Sequence, residues 1–181
     1  MSSRGNTRSG IKSIYTMNKE IRNLMIKQYF VELTNSIFYA VHATIFQSQR
    51  LFGLGKCFKL HSAEETLHAK MFLEFFLEVK VSMIDGDSLK FNPTIDIKTD
   101  PFEIIFASLE QEKKNSILID RIMQFAIEKN DFHLQAFLGW FIKEQIEEET
   151  FFEKILKKFE MLKDSPQMLY LIDKDMSELK K

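Results

Sequence analysis

The sequence predicts an all-α fold: a bundle of four long helices, a long crossover between the second and third, and a short fifth helix at the C-terminus. Composition is the first reason. Only 6 Gly and 3 Pro interrupt 181 residues, while 45% are hydrophobic, with 18 Phe and 9 Met; this suits long helices better than turn-rich sheet. Apolar residues also recur at three- and four-residue intervals over four stretches of roughly thirty residues each. Between the second and third stretches lies a turn-rich break of about twenty residues.

The first helix is expected from about Met17 to about Phe46, where Leu24, Tyr29, Phe30, Leu33, Ile37, Ala40 and Val41 form a broad apolar stripe. Glu32 falls inside that stripe, and Tyr39 follows two turns along the same face. From this helix alone, Glu32 reads most simply as an edge residue that reaches water. The second helix covers roughly Gln49 to Val79. Gly53 and Gly55 near its start weaken it locally but permit close backbone approach. Its centre carries Glu64-Glu65-Thr66-Leu67-His68, with Leu60, Leu67, Met71 and Phe75 at helical spacing. Glu65 and His68, at i and i+3, leave the same face as those apolar side chains. His61, one turn earlier, reads as a capped or solvated histidine.

From Lys80 to Pro101 the pattern breaks, with Asp85-Gly86-Asp87 and Asn92-Pro93 as turn signals. Fully extended, such a segment spans about 60–70 Å, whereas a thirty-residue helix is only about 45 Å long. The break can therefore run the length of a bundle and start the third helix at the same end as the second. Asp100-Pro101 opens the third helix, with Pro at its first position. Ile104, Ile105, Ala107, Leu109, Ile117, Ile119, Ile122 and Phe125 supply its apolar side, interrupted by Glu112. Asp131 can cap a fourth helix ending near Leu162, with Phe137, Trp140, Phe141, Ile155 and Phe159 as core candidates. Inside it lies the acidic run Glu144-Gln145-Ile146-Glu147-Glu148-Glu149, where Glu149 reads as solvated. After Asp164-Ser165-Pro166, the segment from Gln167 to Lys181 has one apolar face (Leu169, Ile172, Met176, Leu179) and is too short to stand alone.

The chain reads as a flexible tail over residues 1–16 and one domain over 17–181. A net charge of -1 offers no basic field for nucleic acid or a membrane surface. No apolar run approaches the roughly 20 residues of a membrane span. Met1 to Thr16 carries Arg4, Arg8 and Lys12 without any acid. It lacks a secretory signal's apolar block, so a tail is preferred to a transit peptide. The single Cys57 excludes an internal disulfide and fits a reducing, cytoplasmic setting.

Each long helix thus holds one oddly placed acid: Glu32, Glu65, Glu112 and Glu148, with His68 beside the second. An inward Glu-x-x-His is a feature of di-iron carboxylate bundles. Four buried, unpaired carboxylates would together cost more than the ~5–15 kcal/mol that holds a domain together. Either they all reach water, or they surround cations; two divalent ions sharing Glu65 would neutralise them. Carboxylates with one imidazole suit iron or manganese and admit zinc.

From about Asn18 onward the sequence resembles the prokaryotic non-haem ferritins. The resemblance lies in Gln28-Tyr29-Phe30-Val31-Glu32-Leu33 with Tyr39; His61-Ser62-Ala63-Glu64-Glu65-Thr66-Leu67-His68; and Glu110-Gln111-Glu112. It continues in Trp140-Phe141-Ile142-Lys143-Glu144-Gln145-Ile146-Glu147-Glu148-Glu149 and Leu169-Tyr170-Leu171-Ile172-Asp173-Lys174-Asp175. It implies a ferritin-like four-helix bundle and a ferroxidase that oxidises Fe(II) with O2 or H2O2 and deposits ferric mineral inside a homo-oligomeric shell of twenty-four chains. Glu32, Glu65 and His68 would hold the first iron, and Glu65, Glu112 and Glu148 the second. Gln145 would contact bound oxygen or solvent, and Tyr39 would bond to Glu112 and serve as an electron donor. Glu64, Glu144, Glu147 and Glu148 would hold a third iron. Bacterioferritin has a second Glu-x-x-His where this chain has Gln145 and Glu148, and its haem-ligating Met falls at Thr66, so no haem is expected. Animal heavy-chain ferritins line their threefold pores with acids early in the fourth helix, whereas Phe132 to Ile142 contains none.

Two other functions fit less well. A peroxide-scavenging or oxygenase-type di-iron protein of smaller oligomeric state usually has Glu-x-x-His on two helices, and here there is one. A purely structural bundle would need all four acids to be solvated.

Overall fold

The computed structural model describes residues 15–83 and 91–178. Among these there are five helices and no strand: α1 (Lys19–Ser48), α2 (Phe52–Glu78), α3 (Pro101–Glu128), α4 (Phe132–Leu162) and α5 (Met168–Glu178). Short polar side chains start three of them. Asn18 Oδ1 accepts from Glu20 N at 2.8 Å, Asp100 Oδ1 from Glu103 N at 3.0 Å, and Asp131 Oδ1 from Leu134 N at 3.1 Å. Each satisfies an amide that the first helical turn leaves without a carbonyl.

The start of α2 solves the same problem from a distance. Its preceding residue, Leu51, has no capping side chain, and Asp173 of α5 accepts from Leu54 N at 2.8 Å instead. The approach requires a glycine. A Cβ on Gly53 would stand 1.9 Å from Asp173 O, so a side chain there would push the two helices apart. Ile172 and Met176 bury the apolar face of α5; Leu179, expected on that face, lies outside the described residues.

The crossover follows α1 along the bundle. Phe91 stacks on Phe30 at 5.0 Å. Lys98 N then donates to His42 Nε2 at 3.1 Å, and Gln49 Nε2 donates to Thr99 O at 2.7 Å near the far end of α1. α2 and α3 therefore point the same way, with α1 and α4 opposed to them. The expected turn at Asp85-Gly86-Asp87 lies outside the described residues, as does most of the 1–16 tail. Tyr15, at the end of that tail, donates to Asp131 and packs edge-on against Phe75 and His133.

Two apolar plugs fill the bundle. One, at the α5 end, contains Phe38, Phe46, Leu54, Phe58, Ile105, Phe152, Ile155 and Ile172. The other contains Ile21, Met25, Phe72, Phe76, Ile119, Ile122, Leu138 and Phe141. Between them every long helix turns polar on its inward face: Gln28, Glu32 and Asn35 on α1; His61, Glu65 and His68 on α2; Glu112 and Asn115 on α3; Gln145 and Glu148 on α4.

That belt explains where the expected core face was misplaced. None of the seven α1 stripe residues is buried, and Ile37 is 37% exposed. The buried face of α1 runs one position away, through Met25, Glu32, Phe38, Tyr39 and Phe46. Leu60, Leu67, Ile117 and Trp140, also counted as apolar-face or core residues, are exposed. An apolar stripe marks the core only where the inward side chains are themselves apolar, and here the middle third of each helix is not. Among the described residues, no helix is long and apolar enough to cross a membrane.

Candidate metal centre

Glu32 is fully buried, with Glu65 and His68 beside it. His68 Nδ1 lies 3.4 Å from Glu65 Oε2 and 4.0 Å from Glu32 Oε2. One ligand atom from each of Glu32, Glu65 and His68 fits within 4.8 Å of the others. The helices aim them there: Glu65 and His68 leave α2 one turn apart, and Glu32 leaves α1, the helix packed against it.

Across the belt, Glu112 accepts from the Tyr39 hydroxyl through Oε1 and from Gln145 Nε2 through Oε2 at 3.3 Å. Gln28 Nε2 donates to Glu32 Oε1 at 2.7 Å and also reaches Asn115 Oδ1. Asn115 Nδ2 sits 3.4 Å from both Glu32 Oε2 and Gln145 Oε1. A chain of amides thus links the Glu32 carboxylate to the Glu112 carboxylate and fixes both, since each amide has lost the freedom to turn toward water.

Crowding these acids in a buried belt favours their protonated forms. Burial pushes the Glu32 pKa well above the usual carboxylate range, and Glu65 adds repulsion. Burial likewise raises Glu65, with Glu112 and Glu148 repelling it. Glu112 is raised to about 8, chiefly by burial and opposed by the Tyr39 hydrogen bond, with Glu148 and Glu32 adding repulsion. Burial and the nearby carboxylates hold the Tyr39 hydroxyl well above its ordinary pKa, so it stays protonated. Glu32, Glu65 and Glu112 thus raise one another's pKa values, with Glu148 adding to two of them; among the described residues Glu112 joins no group of three ligands. Glu65 Oε2 and His68 Nδ1 are buried without a hydrogen-bond partner, a donor set that fits a cation.

The remaining candidates separate. Glu64 is half-buried and 3.6 Å from His61 Nδ1, which is 3.2 Å from Glu148 Oε2. Glu144 is half-buried; burial raises its pKa, opposed by His68 and reinforced by Glu148, Glu147 and Glu64. Glu147 is exposed, and neither it nor Glu144 joins a ligand group among the described residues. Glu149, expected to be solvated, is partly buried and accepts from Ser116. His61 is a correction: it is 2% exposed, enclosed by aromatic rings and carboxylates, because its position one turn before Glu65 shares the inward face.

Sequence reasoning gave no role to Gln28, Asn35, Asn115 or His42, all buried. The first three sit three or four residues from Glu32 or Glu112, one turn along the same face. Helical spacing applied to polar residues would have found them.

A crossover bundle with a buried carboxylate–imidazole belt at its middle defines the ferritin-like class of helical proteins. Residues 23–162 match the Ferritin family, described as a ferritin-like domain, and the chain belongs to this iron-storage family. It is 27% identical over 164 residues to the probable bacterial non-heme ferritin-like protein of Haemophilus influenzae, covering 90% of this chain and 97% of that one. It is 30% identical over 129 residues to ferritin BfrB of Mycobacterium tuberculosis, covering 69% and 67% of the two chains. The open-pore ferritin of the archaeon Archaeoglobus fulgidus matches with a TM-score of 0.81 at 22% identity, covering 91% of this chain and 98% of that one. That last likeness is one of fold.

Proposed function

We propose that this protein stores iron as a cytoplasmic shell of twenty-four copies and is a ferroxidase, oxidising paired Fe(II) with O2 or H2O2 and releasing ferric ions that hydrolyse to mineral. The observation that supports this best is the burial of Glu32, Glu65, Glu112 and Glu148, one from each long helix, on the inward faces around His68. Fe(II) is the substrate. Glu32, Glu65 and His68 take one ion and Glu65, Glu112 and Glu148 the other, so that Glu65 sits between the pair. The ions compete with the protons that the crowded carboxylates hold at neutral pH, and each ion bound releases them.

Gln145 carries its amide on Glu112 and faces the pair, where it can hydrogen-bond oxygen or water. Tyr39, bonded to Glu112 and protonated, is placed to give an electron and its proton together. The two apolar plugs keep bulk water from both ends of the belt, which strengthens every charge interaction inside it. Glu64, Glu144, Glu147 and Glu148 are proposed to hold a third iron at the belt's edge. Exposed Ile37, Leu67, Ile117 and Ile146 are the kind of surface that subunit packing covers.

Stopped-flow absorbance after mixing the protein with aerobic Fe(II) tests the proposal. Glu65→Ala is expected to abolish fast oxidation while the protein still elutes as a shell near half a megadalton. Unchanged initial rates would remove Glu65 from the centre.

A further inference from the structure

Where the crossover lies over α1 and α3, the three enclose a groove of about 580 Å³, a size typical of sites for small organic ligands. Its walls are apolar. Phe91 of the crossover stacks on Phe30 of α1 at 5.0 Å, with 15° between the ring planes, and Val31, Pro93 and Leu118 stand beside them. The charge around it is of one sign: Lys27, Lys114 and Arg121 border the groove, and among the described residues no Asp or Glu does. The chain as a whole has 25 basic and 26 acidic residues, and the next groove along the same helices includes Asp96, Glu103 and Glu110. The acid-free lining is therefore a local feature.

These donors are also unspent. Among the described residues none of the three cations forms an ion pair, whereas Lys113, beside Lys114, lies 4.0 Å from both Glu110 and Glu153. Gln111, one turn before Lys114 on the same face of α3, has a buried Nε2 without a hydrogen-bond partner. A leftover N–H donor in a cation-lined groove suits an anionic oxygen. The donors stand at two ends. Lys114 and Arg121 are two turns apart on α3, about 10 Å along the helix. α1 runs against α3: Gln28, next to Lys27, meets Asn115, and Tyr39 further along meets Glu112. Lys27 thus lies toward the Arg121 end, and Gln111 with Lys114 forms the other.

We propose that this groove binds a flat aromatic dianion, a ring system with a carboxylate at each end. The rings lie against Phe30, Phe91 and Leu118, held by stacking and burial. One carboxylate meets Lys114 and Gln111 Nε2, and the other meets Lys27 and Arg121, whose planar fork can donate to it twice. A neutral ring system would gain the apolar contact but leave the donors unmatched. An anion without an apolar body would rest on exposed lysine and arginine heads alone, which hold little. None of these residues is a proposed iron ligand, so the inference stands apart from the metal reading.

Calorimetric titration of the full chain with naphthalene-2,6-dicarboxylate at low salt tests this, with the neutral 2,6-dicarboxamide as the matched control. The diacid is expected to bind with a Kd of roughly 0.1–1 mM, the range for a ligand of about sixteen heavy atoms, and about tenfold or more tighter than the diamide. Lys114→Gln and Arg121→Gln, one at each end, should each weaken the diacid about two- to fivefold and leave the diamide unchanged. Lys113→Gln, next in sequence but outside the groove, should leave both ligands unchanged. No binding of the diacid at millimolar concentration, or equal affinity for diacid and diamide, overturns the inference. So does a loss in Lys113→Gln as large as that in Lys114→Gln, because overall charge and not the groove would then hold the anion.

Discussion

Glu112 concentrates the electrostatics of the belt in one side chain. Its pKa of about 8 lies above the ordinary value, so the folded state holds a proton that the unfolded chain gives up near pH 4.5. Between those values the folded state binds more protons, and stability falls as pH rises, by up to about 1.4 kcal/mol per pH unit for one proton. Glu112→Gln cannot titrate and should flatten the pH dependence of apo-protein melting over that window; an unaltered slope would mean that Glu112 is ionised throughout. At the edge, Glu64→Ala and Glu144→Ala should keep two-iron oxidation but change the oxygen-to-iron stoichiometry, read by oxygen electrode. Loss of all oxidation in either variant would show that the edge and the centre have been divided wrongly. The acids themselves were legible in the sequence, because a carboxylate amid apolar spacing is conspicuous. Gln28, Asn115 and His61 were not, because an uncharged amide or imidazole costs little at a solvated position and so raises no alarm until its burial is seen.

Two contacts between elements carry testable weight. α5 is held on α2 by the Gly53 approach and by Asp173 bonding to Leu54 N. Gly53→Ala should cost about 1–3 kcal/mol by overpacking, and Asp173→Ala about 0.5–2 kcal/mol as a lost cap. Both would be read as lowered melting temperatures, and a neutral Gly53→Ala would show that α5 docks elsewhere. The crossover is clasped by His42, whose pKa is lowered from 6.5 by burial, against a raising contribution from its bond to Phe38 O and from Asp96. Protonation would remove the acceptor for Lys98 N. The unfolded chain takes up that proton near pH 6.5 and the folded one only lower, so this clasp weakens the fold as pH drops below 6.5. The crossover with its Asn92-Pro93 break and the short fifth segment were visible in the sequence. The face each helix buries was not, because the apolar stripe of α1 lies on its flanks and its inward centre is Gln28, Glu32 and Asn35.

At the scale of the whole molecule, two apolar plugs enclose a belt of like charges, an arrangement whose stability depends on what fills it. His42 is neutral in both folded and unfolded states above about pH 7, so it adds nothing to the slope that the raised carboxylates give on the alkaline side. Cations should reverse it: binding releases the held protons and stabilises the folded state by about RT ln(1 + [L]/Kd). The most direct measurement is the melting temperature of the apo protein from pH 6 to 8.5, repeated with Zn(II) as a redox-inert stand-in for Fe(II). For a chain of this size 1 kcal/mol is about 2–4 °C, so each carboxylate proton lost on unfolding should lower the apo melting temperature by roughly 3–5 °C per pH unit across its window. Zn(II) should raise it most at the high-pH end, where the carboxylates are already ionised. If Glu32→Gln combined with Glu112→Gln leaves both the slope and the zinc effect as they are in the unaltered protein, the four acids do not share one metal-binding core.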